Sequence, residues 1–160
     1  LSLYPVKIHL VSLSKSKGDW ADKGVEEYSK RIGRYLPFRE TRLKPTNGRD
    51  PNSVRDKDSE RILGLVGARD WLVVLDERGS DLTSEGLSSL FEAAIGEGVG
   101  DLIFCIGGPY GHNDAVRLKS KKTIRLSAMV LNHKVARVML VEQLYRACAI
   151  RAGHPYHHTT

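Results

Sequence analysis

The sequence predicts an α/β fold built on a parallel, doubly wound sheet. Two continuous apolar runs, residues 71–75 and 102–106, have the length of strands that are buried on both faces. Segments whose apolar residues recur at helical spacing separate these runs from each other and from further extended stretches. Strands that alternate with helices in this way join in parallel, so residues 1–160 are expected to form a single domain.

The first third of the chain predicts two strands and a helix. Residues 6–11 alternate between apolar and polar side chains, as a half-buried strand does. Residues 38–43 form a second extended stretch. The helix between them ends by Pro37 and carries an apolar stripe made of Ala21, Val25, Tyr28, Ile32 and Tyr35. Residues 44–58, rich in Pro, Asn, Gly and Asp, predict a loop that leads into a helix near residues 58–66.

Two later helices are expected to begin at capping residues. Thr83 can cap a helix that carries Glu85 in its first turn, where a carboxylate interacts favourably with the helix dipole. Asn132 can cap the last long helix, which is predicted over residues 133–152. Gly153 then supplies the residue that ends it.

Shorter segments follow the two buried strands. Residues 76–79, with the sequence Asp-Glu-Arg-Gly, are expected to turn the chain after the first strand. After the second strand, a short helix is expected from about Asn113. Residues 123–127 then predict a third core strand.

The loops at the carboxyl ends of the strands are the predicted ligand site of such a sheet. One of them has the sequence Gly-Gly-Pro-Tyr-Gly at residues 107–111. Two glycines directly after a buried strand let the backbone turn tightly and approach a ligand closely. The loop is neither a Walker A loop nor a Gly-x-Gly-x-x-Gly fingerprint. A plain turn from strand to helix is the alternative interpretation.

Residues 126–131 form a second unusual loop, because they are nearly all apolar and contain no turn residue. Such a run either belongs to the hydrophobic core or wraps an apolar ligand such as an adenine ring. Taken alone, the run favours burial in the core.

The charge of the chain favours a polyanionic partner. The net charge is +6 and the pI is about 9.4, which is typical of nucleic-acid-binding proteins but also of other basic proteins. Cys105 and Cys148 lie in apolar stretches, which predicts buried thiols in a reducing compartment. No apolar run approaches the length of a membrane helix, and the first residues resemble neither a signal nor a transit peptide. The chain starts without Met, so a removed targeting segment stays an open alternative.

The carboxyl-terminal tail contains His154, Tyr156, His157 and His158. A metal site is not expected, because no Cys, Asp or Glu cluster completes a ligand set at recognisable spacing. Stacking on a base and acceptance of a proton near neutral pH are the favoured roles for this tail. A frayed terminus is the alternative.

Several segments, taken in order, resemble a known family. They are residues 75–79 (Leu-Asp-Glu-Arg-Gly), 106–111 (Ile-Gly-Gly-Pro-Tyr-Gly), 126–133 (Leu-Ser-Ala-Met-Val-Leu-Asn-His), the helix that contains residues 137–147, and the ending at residues 154–157. Together they closely resemble the RlmH family of large-subunit ribosomal RNA pseudouridine methyltransferases, in the SPOUT or α/β-knot superfamily. The resemblance covers essentially the whole chain. Asn132 stands where the family often has Pro, and Tyr110 where it often has Glu.

The resemblance implies a deep trefoil knot threaded by the carboxyl-terminal helix, and a homodimer. It implies transfer of a methyl group from S-adenosylmethionine to N3 of a pseudouridine. The implied cofactor-binding residues are Leu75, Gly107, Gly108, Leu126, Ser127, Ala128, Met129, Val130 and Leu131.

Catalysis in such an enzyme needs positioning and a proton acceptor rather than a metal. The candidate acceptors for the imide proton are His154 and His157, with Glu142 third. Tyr156 is expected to stack on the flipped base. Three arginines are candidates for contacts with phosphate or with the developing imide anion: Arg137, Arg146 and Arg151.

The expected substrate is the assembled ribosome or its large subunit, because 160 residues leave no separate RNA-binding domain. Six basic residues extend the predicted RNA footprint: Lys30, Arg31, Arg34, Lys119, Lys121 and Lys122. A knotted RNA-binding protein without activity, and an α/β protein that binds another nucleotide, are the rival interpretations. The expected compartment is the cytoplasm for a bacterial chain, and a plastid or mitochondrion for a eukaryotic one.

Overall fold

A computed structural model describes residues 5–14 and 18–158, and in this part of the chain five strands form one parallel sheet. The strands are β1 (Lys7–Leu13), β2 (Phe38–Leu43), β3 (Trp71–Asp81), β4 (Asp101–Ile106) and β5 (Lys122–Arg125). Their order in the sheet is β2-β1-β4-β3-β5, and each neighbouring pair is parallel. The carboxyl ends of all five strands therefore lie at one edge of the sheet.

Helices cover both faces of this sheet, as the sequence predicts. They are α1 (Ala21–Ile32), α2 (Pro51–Leu63), α3 (Ser84–Gly96), α4 (Asp114–Lys119) and α5 (His133–Ala152). Helices α1, α3 and α5 pack on one face, and α2 and α4 pack on the other. The doubly wound α/β fold is confirmed.

Alternating side chains of the central strands feed two hydrophobic cores. In β4, Leu102 and Phe104 face α1, α3 and α5, whereas Ile103 and Cys105 face α2 and α4. All four are fully buried, because a strand between two helical layers has no solvated face. The thiol of Cys105 is thereby shielded from water, and burial raises its pKa to about 12.

The predicted helix caps are confirmed. The side chain of Thr83 accepts a hydrogen bond from the backbone N–H of Gly86, and Asn132 accepts one from Lys134. Asn113 caps α4 in the same way. Gly153 ends α5 in the left-handed region at φ +71°, which a residue with a side chain rarely adopts.

Helix α2 begins earlier than the sequence analysis predicted. The helix starts at Pro51 and not near residue 58, so residues 51–58 are helical rather than a loop. Pro51 occupies the first helical position, where its fixed φ is compatible with the helix and its missing N–H needs no partner. The Asp50 carboxylate accepts a hydrogen bond from the backbone N–H of Ser53 and caps this start.

Residues 76–79 do not end the strand as predicted. They form an excursion within β3, and Leu75 and Ser80 on either side of it both pair with Ile124 of β5. Gly79 returns the chain so close to β5 that a Cβ would lie 2.5 Å from the Ile124 carbonyl carbon. Only glycine therefore fits this position.

The predicted third core strand is an edge strand. β5 pairs with β3 alone and ends at Arg125, so residues 126 and 127 lie outside it. Ile124 is its only residue buried in the described structure. The expectation of a core position was wrong, because β5 has a neighbouring strand on one side only and the apolar residues that follow Arg125 lie outside the sheet.

Candidate functional site

A cleft of about 1010 Å³ opens at the carboxyl edge of the sheet. Leu13 at the end of β1, Leu75 in β3, Ile106 at the end of β4 and Leu126 just after β5 all line it. Four strand ends therefore converge on one concavity. This is the position at which doubly wound sheets bind ligands, and the volume is that of a small-molecule site.

The loop after β4 forms one wall of the cleft. The backbone N–H of Gly111 donates to the Gly108 carbonyl at 3.1 Å, which closes a tight turn, and Gly111 adopts φ +74°. The Gly107 carbonyl oxygen lies 3.0 Å from Nε2 of His133 in the first turn of α5. This contact ties the end of β4 to the start of the last helix.

His112 lies directly beneath Gly107 and is 2% exposed. A Cβ on Gly107 would lie 2.8 Å from Nε2 of this imidazole. The His112 ring therefore fits here only because residue 107 has no side chain. Neither ring nitrogen has a hydrogen-bond partner among the described residues. Burial lowers the pKa of His112 to about 4, so the ring is neutral at physiological pH.

Most of the apolar run at residues 126–131 is not buried in the core, which corrects that expectation, although its first residue, Leu126, packs against the core. Met129 and Val130 are each 77% exposed, because the run lies beyond the edge strand β5. Leu126, Ser127, Met129 and Leu131 line the cleft. The Ser127 hydroxyl accepts a hydrogen bond from the backbone N–H of Met129 at 2.9 Å and shapes the loop.

Seven of the nine residues expected to bind a cofactor meet around this cleft: Leu75, Gly107, Gly108, Leu126, Ser127, Met129 and Leu131. Ala128 and Val130, the other two, are exposed and lie outside the lining. The residues come from three separate segments, and the parallel sheet places the segments side by side.

A buried ionic network flanks the cleft, and the sequence analysis did not predict it. The guanidinium of Arg137 binds both carboxylate oxygens of Glu40, at 2.7 and 2.8 Å, and Oδ1 of Asp22 at 2.7 Å. Arg42 pairs with Asp22 and Asp19. The Arg137 side chain is 4% exposed, so its charge is neutralised within the chain rather than presented to phosphate.

Two tail residues, Tyr156 and His157, fold back and form a separate cluster against the middle of α5. The Tyr156 hydroxyl donates to Glu142 at 3.0 Å, and Arg146 binds the same carboxylate. His157 bridges Arg146 and Glu85. Its Nδ1 lies 3.2 Å from Nη1 of Arg146, and its Nε2 lies 2.8 Å from Oε1 of Glu85. Burial and the hydrogen bonds of its hydroxyl group raise the pKa of Tyr156.

The predicted tail residues lie at different distances from the cleft within one chain, and Glu142 is about 14 Å along α5 from His133. Helix α5 has 20 residues, and at 1.5 Å per residue it is about 30 Å long. His133 touches the cleft at its start, whereas the exposed His154 follows its end. None of His154, Tyr156, His157 and Glu142 lines the cleft.

The basic residues of the predicted RNA footprint differ in their pairing. Lys30 and Arg31 on α1 form ion pairs with Glu26 and Glu27, one turn away. Lys119, Lys121 and Lys122 are exposed around the end of α4 and the start of β5. Arg151 pairs with Glu92 at 2.6 Å.

Within residues 5–14 and 18–158, no group of three or more His, Cys, Asp or Glu side chains has a metal-binding arrangement. The described helices also include none that is long and apolar enough to cross a membrane.

Comparison with known proteins identifies relatives over nearly the whole chain. The family model described as predicted SPOUT methyltransferase matches residues 6–157. "Putative RNA methyltransferase At5g10620" of Arabidopsis thaliana is 40% identical, covering 94% of this chain and 79% of that protein. "Ribosomal RNA large subunit methyltransferase H" of Geobacter sp. strain M21 is 39% identical over 96% of this chain and 99% of that protein.

Among solved structures, the SpoU methyltransferase AviRb from Streptomyces viridochromogenes, crystallised in complex with AdoMet, superposes with a TM-score of 0.49. It is 18% identical to this chain. The superposition covers 96% of this chain and 61% of AviRb.

Proposed function

The chain belongs to the SPOUT methyltransferase family, and we propose that it transfers a methyl group from S-adenosylmethionine to N3 of a pseudouridine in large-subunit ribosomal RNA. The observation that carries this proposal is the cleft at the carboxyl edge of the sheet, lined by the glycine loop and by residues of the 126–131 run. The names of the plant and bacterial relatives support RNA, and ribosomal RNA in particular, as the substrate class.

The cleft suits the cofactor in size and chemistry. Leu75, Ile106 and Leu131 offer apolar surface for an adenine ring, and the backbone around Gly107 offers polar groups for its edge. Asp76 also lines the cleft. When bound, the cofactor supplies an electrophilic methyl group on a sulfonium, which requires no metal.

The chain's own residues have to hold the target base in line with that methyl group and remove the imide proton. His157, His154 and Glu142 are the proposed acceptors. In the tail cluster, Arg146 lies 4.7 Å from the Tyr156 ring centroid and beside His157.

We propose that the enzyme acts as a homodimer in which the tail of one chain faces the cleft of the other. Within one chain none of the proposed proton acceptors lines the cleft: Glu142 lies about 14 Å along α5 from His133, and His154 follows the far end of the helix. A second copy is therefore the proposed source of the acceptor. The exposed apolar side chains of Trp20, Met129 and Val130 lie near the cleft end of α5 and offer surface for a second copy. A deep trefoil knot, in which α5 threads a loop of the chain, is part of the same proposal.

The substrate proposed is the large subunit or the assembled ribosome. The compartment follows from the source of the chain, being the cytoplasm in a bacterium and a plastid or mitochondrion in a eukaryote.

Calorimetry with S-adenosylhomocysteine, followed by methylation of purified large subunits, tests this function. Wild type should bind, and Gly107→Val should abolish both binding and methyl transfer, because the added side chain meets His112. Complementation tests the dimer. Gly107→Val chains mixed with His154→Ala/His157→Ala chains should recover part of the activity that each lacks alone. If a well-folded wild type neither binds the ligand nor methylates large subunits, the proposal is wrong.

A further inference from the structure

The strongest unexplained feature near the cleft is the imidazole of His112. It is almost completely buried, yet neither ring nitrogen has a hydrogen-bond partner among the described residues. A neutral imidazole carries one donor and one acceptor. Leaving both unpaired in the interior destabilises the folded state, and native proteins concentrate such groups at functional sites.

The position of the ring connects it to both walls of the proposed cofactor site. On one side it lies against Gly107 of the β4 loop, at the 2.8 Å spacing from the Cβ position described above. On the other side the Leu75 backbone approaches the ring closely enough for a weak hydrogen-bonding interaction that raises the pKa of His112, but its geometry falls short of a full hydrogen bond. Leu75 and Gly107 both line the cleft.

The backbone of His112 is held firmly while its ring nitrogens stay unpaired. Arg117 donates to the His112 carbonyl oxygen and lies 3.6 Å from the carboxylate of Asp76, the residue after Leu75. The ring therefore has a fixed place between the ends of β3 and β4. A small movement of either strand end would bring a backbone acceptor into hydrogen-bond geometry.

We propose that His112 is a positioning residue for the cofactor: its imidazole sets the spacing between Leu75 and Gly107, and gains a hydrogen bond from the ring to the Leu75 carbonyl when the cofactor fills the cleft. Part of the binding free energy then comes from a hydrogen bond that the free protein does not make. This inference rests on the proposed cofactor site.

The proposal makes stability and affinity change in opposite directions. His112→Leu removes the unpaired nitrogens and nearly conserves volume, so the free protein should become more stable, with a Tm rise of about 2–4 °C. The same variant should bind S-adenosylhomocysteine about tenfold more weakly, because it loses the hydrogen bond gained on binding. A residue that only supports the fold would move both quantities in the same direction.

His9→Leu is the matched control. His9 is also buried in the sheet, but its Nε2 already lies 2.7 Å from the Thr41 hydroxyl, and it does not line the cleft. His9 Nδ1 has no partner among the described residues, which offsets part of the loss of the Thr41 contact, so His9→Leu should change stability little. It should keep the wild-type affinity for S-adenosylhomocysteine.

Nitrogen-15 NMR of the wild-type histidine rings gives a second readout that does not depend on how a variant folds. Saturation with S-adenosylhomocysteine should shift the His112 ring N–H downfield and slow its exchange with water. Unchanged ring signals in a saturated protein, or unchanged affinity in a folded His112→Leu variant, would overturn the proposal. If wild type does not bind, or Gly107→Val binds normally, the error lies in the cofactor site itself.

Discussion

The carbonyl oxygen of Gly107 lies 3.0 Å from Nε2 of His133, and this single contact joins the end of β4 to the first turn of α5. Gly107 also packs against the ring of His112. The glycine thus contacts two histidines, and the His112 ring leaves no space for a side chain on it.

The first prediction concerns this lack of space. Gly107→Ala should destabilise the protein by about 1–3 kcal/mol, because the new methyl group overpacks against His112. Adding His112→Ala should remove most of that cost, so the two changes should be strongly non-additive in urea unfolding. Gly108→Ala is the control, since its Cβ would be 3.5 Å or more from every neighbour. Additive effects at residues 107 and 112 would contradict the overpacking argument.

The buried ion pair of Arg137 leads to a second prediction. Arg137→Ala leaves the carboxylates of Glu40 and Asp22 without their main partner, and should lower the free energy of unfolding by about 3 kcal/mol. Arg39→Ala breaks an ion pair with Asp101 in which the Arg39 side chain is 60% exposed, and should cost less than about 1 kcal/mol. Chemical denaturation of both variants measures the two free energies of unfolding. Equal losses would contradict the argument that the Arg137 ion pairs are buried and the Arg39 ion pair is exposed.

A third prediction concerns pH. The unfolded chain binds a proton on His112 near pH 6.5, whereas the folded chain does so only near pH 4, because burial lowers that pKa. Between these values the unfolded state binds more protons. Titration of His112 therefore leaves stability unchanged above pH 6.5 and lowers the stability of wild type as the pH falls towards 4, by up to about 3 kcal/mol.

Asp76 and Arg117 are the charged groups that act on this ring, in opposite directions. The check is urea unfolding of wild type and His112→Leu at several pH values from 7 to 4.5. The difference in free energy of unfolding between the two proteins should increase as the pH falls. A constant gap would show that His112 titrates normally.

The fourth prediction concerns RNA. Simultaneous replacement of Lys119, Lys121 and Lys122 by Ala should weaken binding to large subunits and reduce its salt dependence. The reason is that binding releases fewer counterions from the RNA when fewer phosphate contacts form. Replacing Lys30 and Arg31 should matter less, since Glu26 and Glu27 already neutralise these side chains. Filter binding at several salt concentrations compares the two variants, and equal slopes for the lysine variant and wild type would exclude the α4–β5 surface from the footprint.

Local signals in the sequence were reliable wherever the physics is local. The apolar run at 102–106 and the caps at Thr83 and Asn132 depend on neighbouring residues, and the structure confirms them. The alternation in residues 6–11 predicted the strand correctly but its half-burial wrongly, because residues 8–13 are buried on both faces. The start of α2 was missed although its signal was present, because Asp50 followed by Pro51 is a cap and first helical residue as well as a loop composition.

Local sequence signals could not predict which strands pair across the sheet. The excursion at residues 76–79 depends on where Ile124 lies, and the exposure of Met129 and Val130 depends on β5 being at the edge. A residue's own sequence neighbours carry no information about either.

The sequence by itself determined the fold class, the glycine loop and the segments that supply the cofactor-binding candidates. Only the tertiary structure decided which residues meet. Arg137 and Glu40 are 97 positions apart yet form one buried ion pair, and the unpaired ring of His112 becomes visible only once Leu75 and Gly107 are placed around it. The reason is physical: hydrogen bonds, ion pairs and burial depend on distance in space, and folding sets that distance independently of separation along the chain.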